Sequence, residues 1–195
     1  NDLEEVVKLQ SDEVVMKFVG AGGARNRERI IKGFNYYVDL WKRKNPVSAF
    51  AVFFKNDKGE EGDFAGMAAL EDVWKNGKIQ SGSAEVMLYF KTEFWKRGLG
   101  KEVGKGFLAI LDDAQKNNTQ MTIGEAPLSK LVATAHPSNE ASIALQKSLG
   151  FVEVGRGKKV AGGWYKQGRE EGIDSLQKGF RAEFVSDFMQ LNEDR

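Results

Sequence analysis

Apolar positions in the first 45 residues recur three and four apart. Asn1-Asp2 precedes Leu3-Glu4-Glu5-Val6-Val7, a capping residue followed by acidic first-turn residues and an apolar stripe, so the chain is expected to open on a helix. Ile30, Ile31, Phe34, Tyr37, Val38 and Trp41 share one face of a second helix. Lys44-Asn45-Pro46 ends it, because the residue before proline is pushed out of the α region. The pattern then becomes extended. Ala49 to Phe54, Phe64 to Leu70 and Ile79 to Phe90 read as three consecutive antiparallel strands, with a hairpin turn at Asn76-Gly77. Val103, Phe107, Ile110, Leu111 and Ala114 predict a helix starting near Gly100 or Lys101. Lys130 to His136 reads as a strand, and Pro137-Ser138-Asn139 starts a helix through Leu149 that Gly150 closes. Phe151 to Arg156 is extended, and Ala182 to Leu191 forms the last strand. No period can be read between Gly155 and Gly179.

Composition narrows the chemistry. With 195 residues, 41% hydrophobic and 29% charged, the chain can build one full core without staples, and a single soluble domain is expected. No apolar run approaches the ~20 residues of a membrane helix, and no leader pattern opens the sequence. The absence of cysteine excludes disulfides, thiolate metal sites and a cysteine nucleophile, and it is consistent with a cytoplasmic setting. A single histidine, His136, cannot assemble a multi-His metal site within one chain, so no metal is expected; a capping or packing role suits it better than catalysis. The balance of 29 Lys+Arg against 28 Asp+Glu, net +1, argues against nucleic acid as a partner.

The strongest site signal is a strand, then Arg97-Gly98-Leu99-Gly100-Lys101, then a helix. Unpaired main-chain N–H groups and the positive dipole end at a helix start can hold a phosphate, and glycine lets the backbone approach closely. Two familiar phosphate loops fail here. Gly104-Lys105 is followed by Gly106 and has Leu99 where a Walker loop needs glycine, and Gly98-x-Gly100 reaches its next glycine one residue too late for a dinucleotide fingerprint. Gly104 and Gly106 inside a helix each cost about 1 kcal/mol relative to alanine, which predicts a closely packed neighbour, a strand before a ligand.

Trp95-Lys96-Arg97-Gly98-Leu99-Gly100 is similar to the [QR]-x-x-G-x-[GA] loop of the GNAT superfamily of acetyl-CoA-dependent N-acetyltransferases. Asn139-Glu140-Ala141-Ser142 with Leu149-Gly150-Phe151 resembles that family's N-x-x-S … L-G-F segment. The opening helix pattern, Glu93-Phe94-Trp95 and Glu102 resemble the branch that acetylates protein N-termini, ribosomal-protein alanines included. The likeness runs from Asp2 to Val154. It implies an α/β fold: a mixed, mostly antiparallel sheet flanked by helices, with a splayed strand pair for acetyl-CoA. It implies one acetyltransferase domain over 1–195, lacking the strand that precedes the first helix in similar proteins, and acting as a monomer or homodimer.

By the same resemblance, main-chain groups of Leu88 and Phe90 pair with pantetheine, and the N–H groups of Arg97, Gly98, Leu99, Gly100 and Lys101 hold the pyrophosphate. Asn139 bonds the pantetheine arm, with Ser142 beside it. The amine acceptor, a protein N-terminus or a small molecule, attacks the thioester directly. Glu85, the only acid between Ile79 and Phe90, is the candidate base, directly or through water; the alternative is a solvent-facing strand residue. Two departures from the family stand out. Trp95 occupies the [QR] position, and Gln146 occupies the helix position where many relatives carry a proton-donating tyrosine. The second keeps open a catalytically silent acyl-CoA-binding module. A nucleotide-dependent oxidoreductase is a remoter alternative.

Overall fold

The structure, a computed structural model, describes residues 2–19, 22–45, 47–55, 58–75, 78–116, 121–156 and 182–187. The chain forms two compact units. The first holds Asn1–Leu70 with Met87–Leu99, and the second holds Glu71–Val86 with Gly100–Arg195. The architecture is the mixed α/β, mostly antiparallel one that the sequence implies.

The first unit opens with α1 (Asp2–Gln10), α2 (Glu13–Met16) and α3 (Arg27–Lys42). The Asp12 carboxylate accepts the Val14 and Val15 N–H groups, and the Asn26 side chain accepts that of Arg29. Both caps satisfy donors that the first turn leaves unpaired. Contacts between α1 and α3 include an ion pair in which Arg27 Nη1 donates to Glu4 Oε2 at 2.9 Å. Val6, Leu9, Val15, Met16, Ile30, Phe64, Met67 and Tyr89 form a buried cluster. Burying such a side chain contributes about 1.5–3 kcal/mol each before entropy is charged against it. The apolar face of α3 is only half buried beyond Ile30, and Trp41 is exposed. Its indole instead donates to the Ala49 carbonyl at 2.7 Å, tying the helix end to the first strand.

β1 (Ala49–Lys55) pairs antiparallel with β2 (Glu61–Lys75), which neighbours β3 (Lys78–Phe90). β2 is longer than the apolar stretch Phe64 to Leu70, because hydrogen bonding carries a strand past its buried residues into charged ones. Gly66 allows a close approach: a Cβ there would stand 2.4 Å from the Tyr89 carbonyl oxygen. A one-turn 3₁₀ helix, Thr92–Phe94, which the periodicity does not announce, follows β3.

In the second unit α4 (Leu99–Lys116), β4 (Thr122–Ile123), β5 (Ala126–Pro127), β6 (Lys130–Ala135), α5 (Glu140–Ser148), β7 (Val152–Arg156) and β8 (Ala182–Asp187) follow. The strand order is β3-β6-β8-β7. β3 and β6 are parallel from Ser83↔Lys130 to Val86↔Ala133, where their ladder ends. β8 is antiparallel to both β6 and β7. Leu111, Ile123, Leu128 and Leu131 are fully buried. Gly150, with φ +86°, closes α5 as expected, and the Phe151 N–H reaches back to the Gln146 carbonyl at 3.1 Å.

The expectation of a strand against Gly104 and Gly106 is corrected. Gly104 is approached by Leu149 at the end of α5, whose Cδ1 would lie 2.4 Å from an added Cβ; nothing lies within 4 Å of such an atom at Gly106. Asn1, Pro46, the Asn76-Gly77 turn, most of the stretch from Gly155 to Gly179 and the end of the last strand at Leu191 lie outside the described residues.

Candidate active site

The loop from Trp95 to Gly98 is exposed, between the buried Phe94 and Leu99. Its backbone is unusual: Lys96 has φ +60° and Gly98 φ +86°. A left-handed lysine is strained by about 1–2 kcal/mol relative to an ordinary conformation, and left-handed residues in a turn help gather N–H groups into an anion-binding concavity. α4 begins directly after it, so the N–H groups of Leu99, Gly100 and Lys101 belong to a helix's first turn. A Cβ on Gly98 would meet nothing within 4 Å, leaving this backbone approachable. Gly100 is different. A Cβ there would come within 2.8 Å of Leu145 Cδ2, so its small size serves the packing of α4 on α5.

The side chains of the loop are tied locally. Trp95 Nε1 donates to the Phe90 carbonyl at 2.7 Å, anchoring the loop to the end of β3 and occupying one lone pair of a group assigned to pantetheine by resemblance. The Arg97 guanidinium lies 4.2 Å from the Phe54 ring centroid and 5.6 Å from that of Phe94. It therefore stacks on aromatic faces. Arg97 is the one sequence-predicted site residue that lines a cavity of 630 Å³ within the first unit, with Asp2, Glu5, Asp63, Lys91 and Glu93 also on its wall. Lys91 Nζ donates to Glu5 Oε2 at 2.6 Å. Hydrogen bonds from Lys8 and then Lys91 hold the Glu5 carboxyl at about 2, far below its usual 4.5.

Glu85 is buried, at 5% exposure, which overturns the alternative of a solvent-facing strand residue. It stands opposite Val132 in the β3–β6 ladder. Two residues along β6 on the same face, the Thr134 hydroxyl donates to Glu85 Oε1 at 2.7 Å. Asn139 caps α5: its Oδ1 accepts the Ser142 N–H at 3.2 Å, so the oxygen is already engaged. The Ser142 hydroxyl accepts from Gln146 Nε2 at 3.2 Å, and the same nitrogen donates to the Thr134 carbonyl at 3.4 Å. Glu85, Thr134, Gln146 and Ser142 thus form one connected polar network. Thr134 is the member that sequence reasoning missed. Its signal was a lone hydroxyl in the apolar strand KLVATAH. His136 Nδ1 accepts the Ser138 N–H at 3.1 Å, a local turn contact in keeping with a capping role.

The acetyltransferase (GNAT) domain family matches residues 1–152. The chain belongs to the GNAT acetyltransferase family. Among solved structures with the GNAT fold, a family member from Bacillus anthracis is 16% identical, with 95% of this chain and 89% of that one covered and a TM-score of 0.63. A Vibrio cholerae spermidine N-acetyltransferase, solved with CoA and spermine, is 15% identical over 95% of this chain and 89% of its own, TM-score 0.61. A ribosomal alpha-N-protein acetyltransferase is 12% identical over 96% and 83%, TM-score 0.60. No curated protein sequence matches the chain. The Vibrio cholerae structure holds CoA, and an exposed loop with left-handed residues at a helix start is of a kind that can take an anion. Among the described residues there is no group of three His, Cys, Asp or Glu side chains that could hold a metal, and no helix is long and apolar enough to cross a membrane.

Proposed function

We propose that this chain is a single-domain N-acetyltransferase that moves the acetyl group of acetyl-CoA to a primary amine by direct attack. The observation that carries the reading is the buried Glu85 carboxylate, held by Thr134 on the strand that leads to the loop. An amine attacks only when neutral, and a positioned carboxylate can take its proton. Acetyl-CoA is held, on this reading, by Leu88 and Phe90 main-chain groups, by the N–H groups of Arg97 to Lys101, and by Asn139 and Ser142. Strand N–H groups near Met87 and Leu88 polarise the thioester carbonyl. Asn139 contributes through Nδ2 or through the second lone pair of Oδ1, since the first caps α5.

The acceptor is a protein N-terminus or a small-molecule amine. The proteins of similar fold, one titled for spermidine and one for a ribosomal protein, justify testing both classes. Titration calorimetry with acetyl-CoA, NADPH and ATP is expected to give binding of acetyl-CoA alone. A thiol-release assay over peptide N-termini, polyamines and aminoglycosides then finds the acceptor. One observation favours a second reading, a silent acyl-CoA-binding module: the Gln146 amide cannot supply the proton that a tyrosine would. Saturable acetyl-CoA binding without acetylation of any amine supports that module instead.

A further inference from the structure

The Gln146 amide has a defined orientation. Its Nε2 faces the Thr134 carbonyl oxygen, which can only accept, so the nitrogen must point there and Oε1 must point away. Gln146 is 8% exposed, and its Oε1 is buried without a hydrogen-bond partner. A buried acceptor left without a protein donor is costly, and a donor from a bound molecule would relieve it. The neighbouring groups have the same polarity. Glu85 accepts through Oε1, and the half-buried Thr134 hydroxyl spends its one proton there, leaving its lone pairs for another donor. Gln146 Oε1, Thr134 Oγ1 and Glu85 therefore offer acceptors where many relatives, by the resemblance, carry a proton-donating tyrosine. A group with more than one N–H suits it; a leaving thiolate does not.

We propose that Thr134 and Gln146 form the seat of the acceptor amine, with Thr134 as a further catalytic residue relaying its proton to Glu85. This rests on the acetyltransferase reading above. Glu85 is almost closed off from outside, whereas Thr134 is half buried and bonded to it, so the hydroxyl is the accessible end of the pair. In the step, the amine nitrogen forms a bond to the acetyl carbon and the carbon–sulfur bond breaks, expelling the CoA thiolate. The nitrogen's proton passes to Thr134 Oγ1 while the hydroxyl's own proton passes to Glu85, which releases it to the thiolate through solvent. Gln146 Oε1 holds a second N–H of the same nitrogen.

The test uses thiol release from acetyl-CoA with spermidine and with an alanine-initiated peptide as amine probes, alongside acetyl-CoA calorimetry and thermal unfolding of each variant. Thr134→Val is expected to lower kcat by about 10-fold or more, because a relayed base contributes on that scale. Acetyl-CoA affinity should be unchanged. Thr134→Ser, which restores the hydroxyl, should recover most of kcat and the solvent deuterium isotope effect; a threonine that only holds Glu85 in place would be rescued in kcat with no change in the isotope effect. Gln146→Leu should raise KM for the amine more than it lowers kcat. Rates for folded Thr134→Val equal to the parent would overturn the relay, and failure of the serine to rescue would do the same. Acetyl-CoA binding with no turnover of either probe or of the wider amine panel would instead overturn the acetyltransferase reading on which this rests.

Discussion

Gly104 of α4 and Leu149 at the end of α5 meet so closely that a Cβ on the glycine would stand 2.4 Å from Leu149 Cδ1. Two positions further along the same helix, Gly106 has no neighbour within 4 Å of that atom. The two glycines carry the same helix-propensity cost of about 1 kcal/mol, so only packing separates them. Gly104→Ala should destabilise the protein, because overpacking of about 1–3 kcal/mol outweighs the propensity gained. Gly106→Ala should stabilise it by about 0.5–1 kcal/mol. Urea midpoints of the two variants, moving in opposite directions, check both statements.

At Gly98 the space is open but the backbone is not ordinary, with φ +86°. Any side chain costs stability there, about 1–2 kcal/mol from the left-handed conformation. A carboxylate would in addition repel phosphates and occupy their approach. Gly98→Ala should therefore lose stability yet retain acetyl-CoA binding, and Gly98→Glu should lose binding as well. Calorimetry with unchanged affinity for Gly98→Glu would remove the loop from the site.

Much of this was legible in the sequence. Asn139 and Gly150 mark the two ends of α5 as capping chemistry dictates, and the Asn76-Gly77 signal separates β2 from β3 correctly although the turn itself lies outside the described residues. α2 escaped because four residues are too few to show a period. The two-residue pair β4 and β5 escaped for the same reason. The loop was readable as a candidate because an anion-binding turn calls for glycines in a fixed local order. The polar network was not: it joins β3, β6 and α5, with Thr134 and Glu85 separated by 49 positions, and no local pattern encodes such a contact.

The Glu5 cluster gives a pH dependence with a definite sign. Its carboxyl titrates at about 2 in the folded chain, against the usual 4.5, because Lys8 and Lys91 donate to it. A depressed carboxyl contributes stability above its unfolded value and loses it as pH falls through the folded one. Glu5→Gln should then be less stable than the parent at pH 7, by about 1 kcal/mol or less for so accessible a pair. The difference should shrink between pH 4.5 and 2. Denaturant unfolding along a pH series checks this; a difference independent of pH would assign Glu5 a packing role only.

Glu85→Gln keeps an oxygen to accept the Thr134 hydroxyl and removes the basic one. The fold and acetyl-CoA affinity should persist, while kcat falls by about 10²–10⁴. A loss below about threefold with a verified acceptor would leave Glu85 a structural partner of Thr134, with the amine already neutral when it binds.

Acetyl transfer to an amine leaves a mass change that an intact-mass measurement reads without any coupled assay. Incubation with acetyl-CoA and the panel of peptide N-termini, polyamines and aminoglycosides should convert at least one amine to a product heavier by a single acetyl group, with one thiol released per product. Saturable binding of acetyl-CoA with no amine gaining that mass would mean that the protein is not an acetyltransferase for these amines.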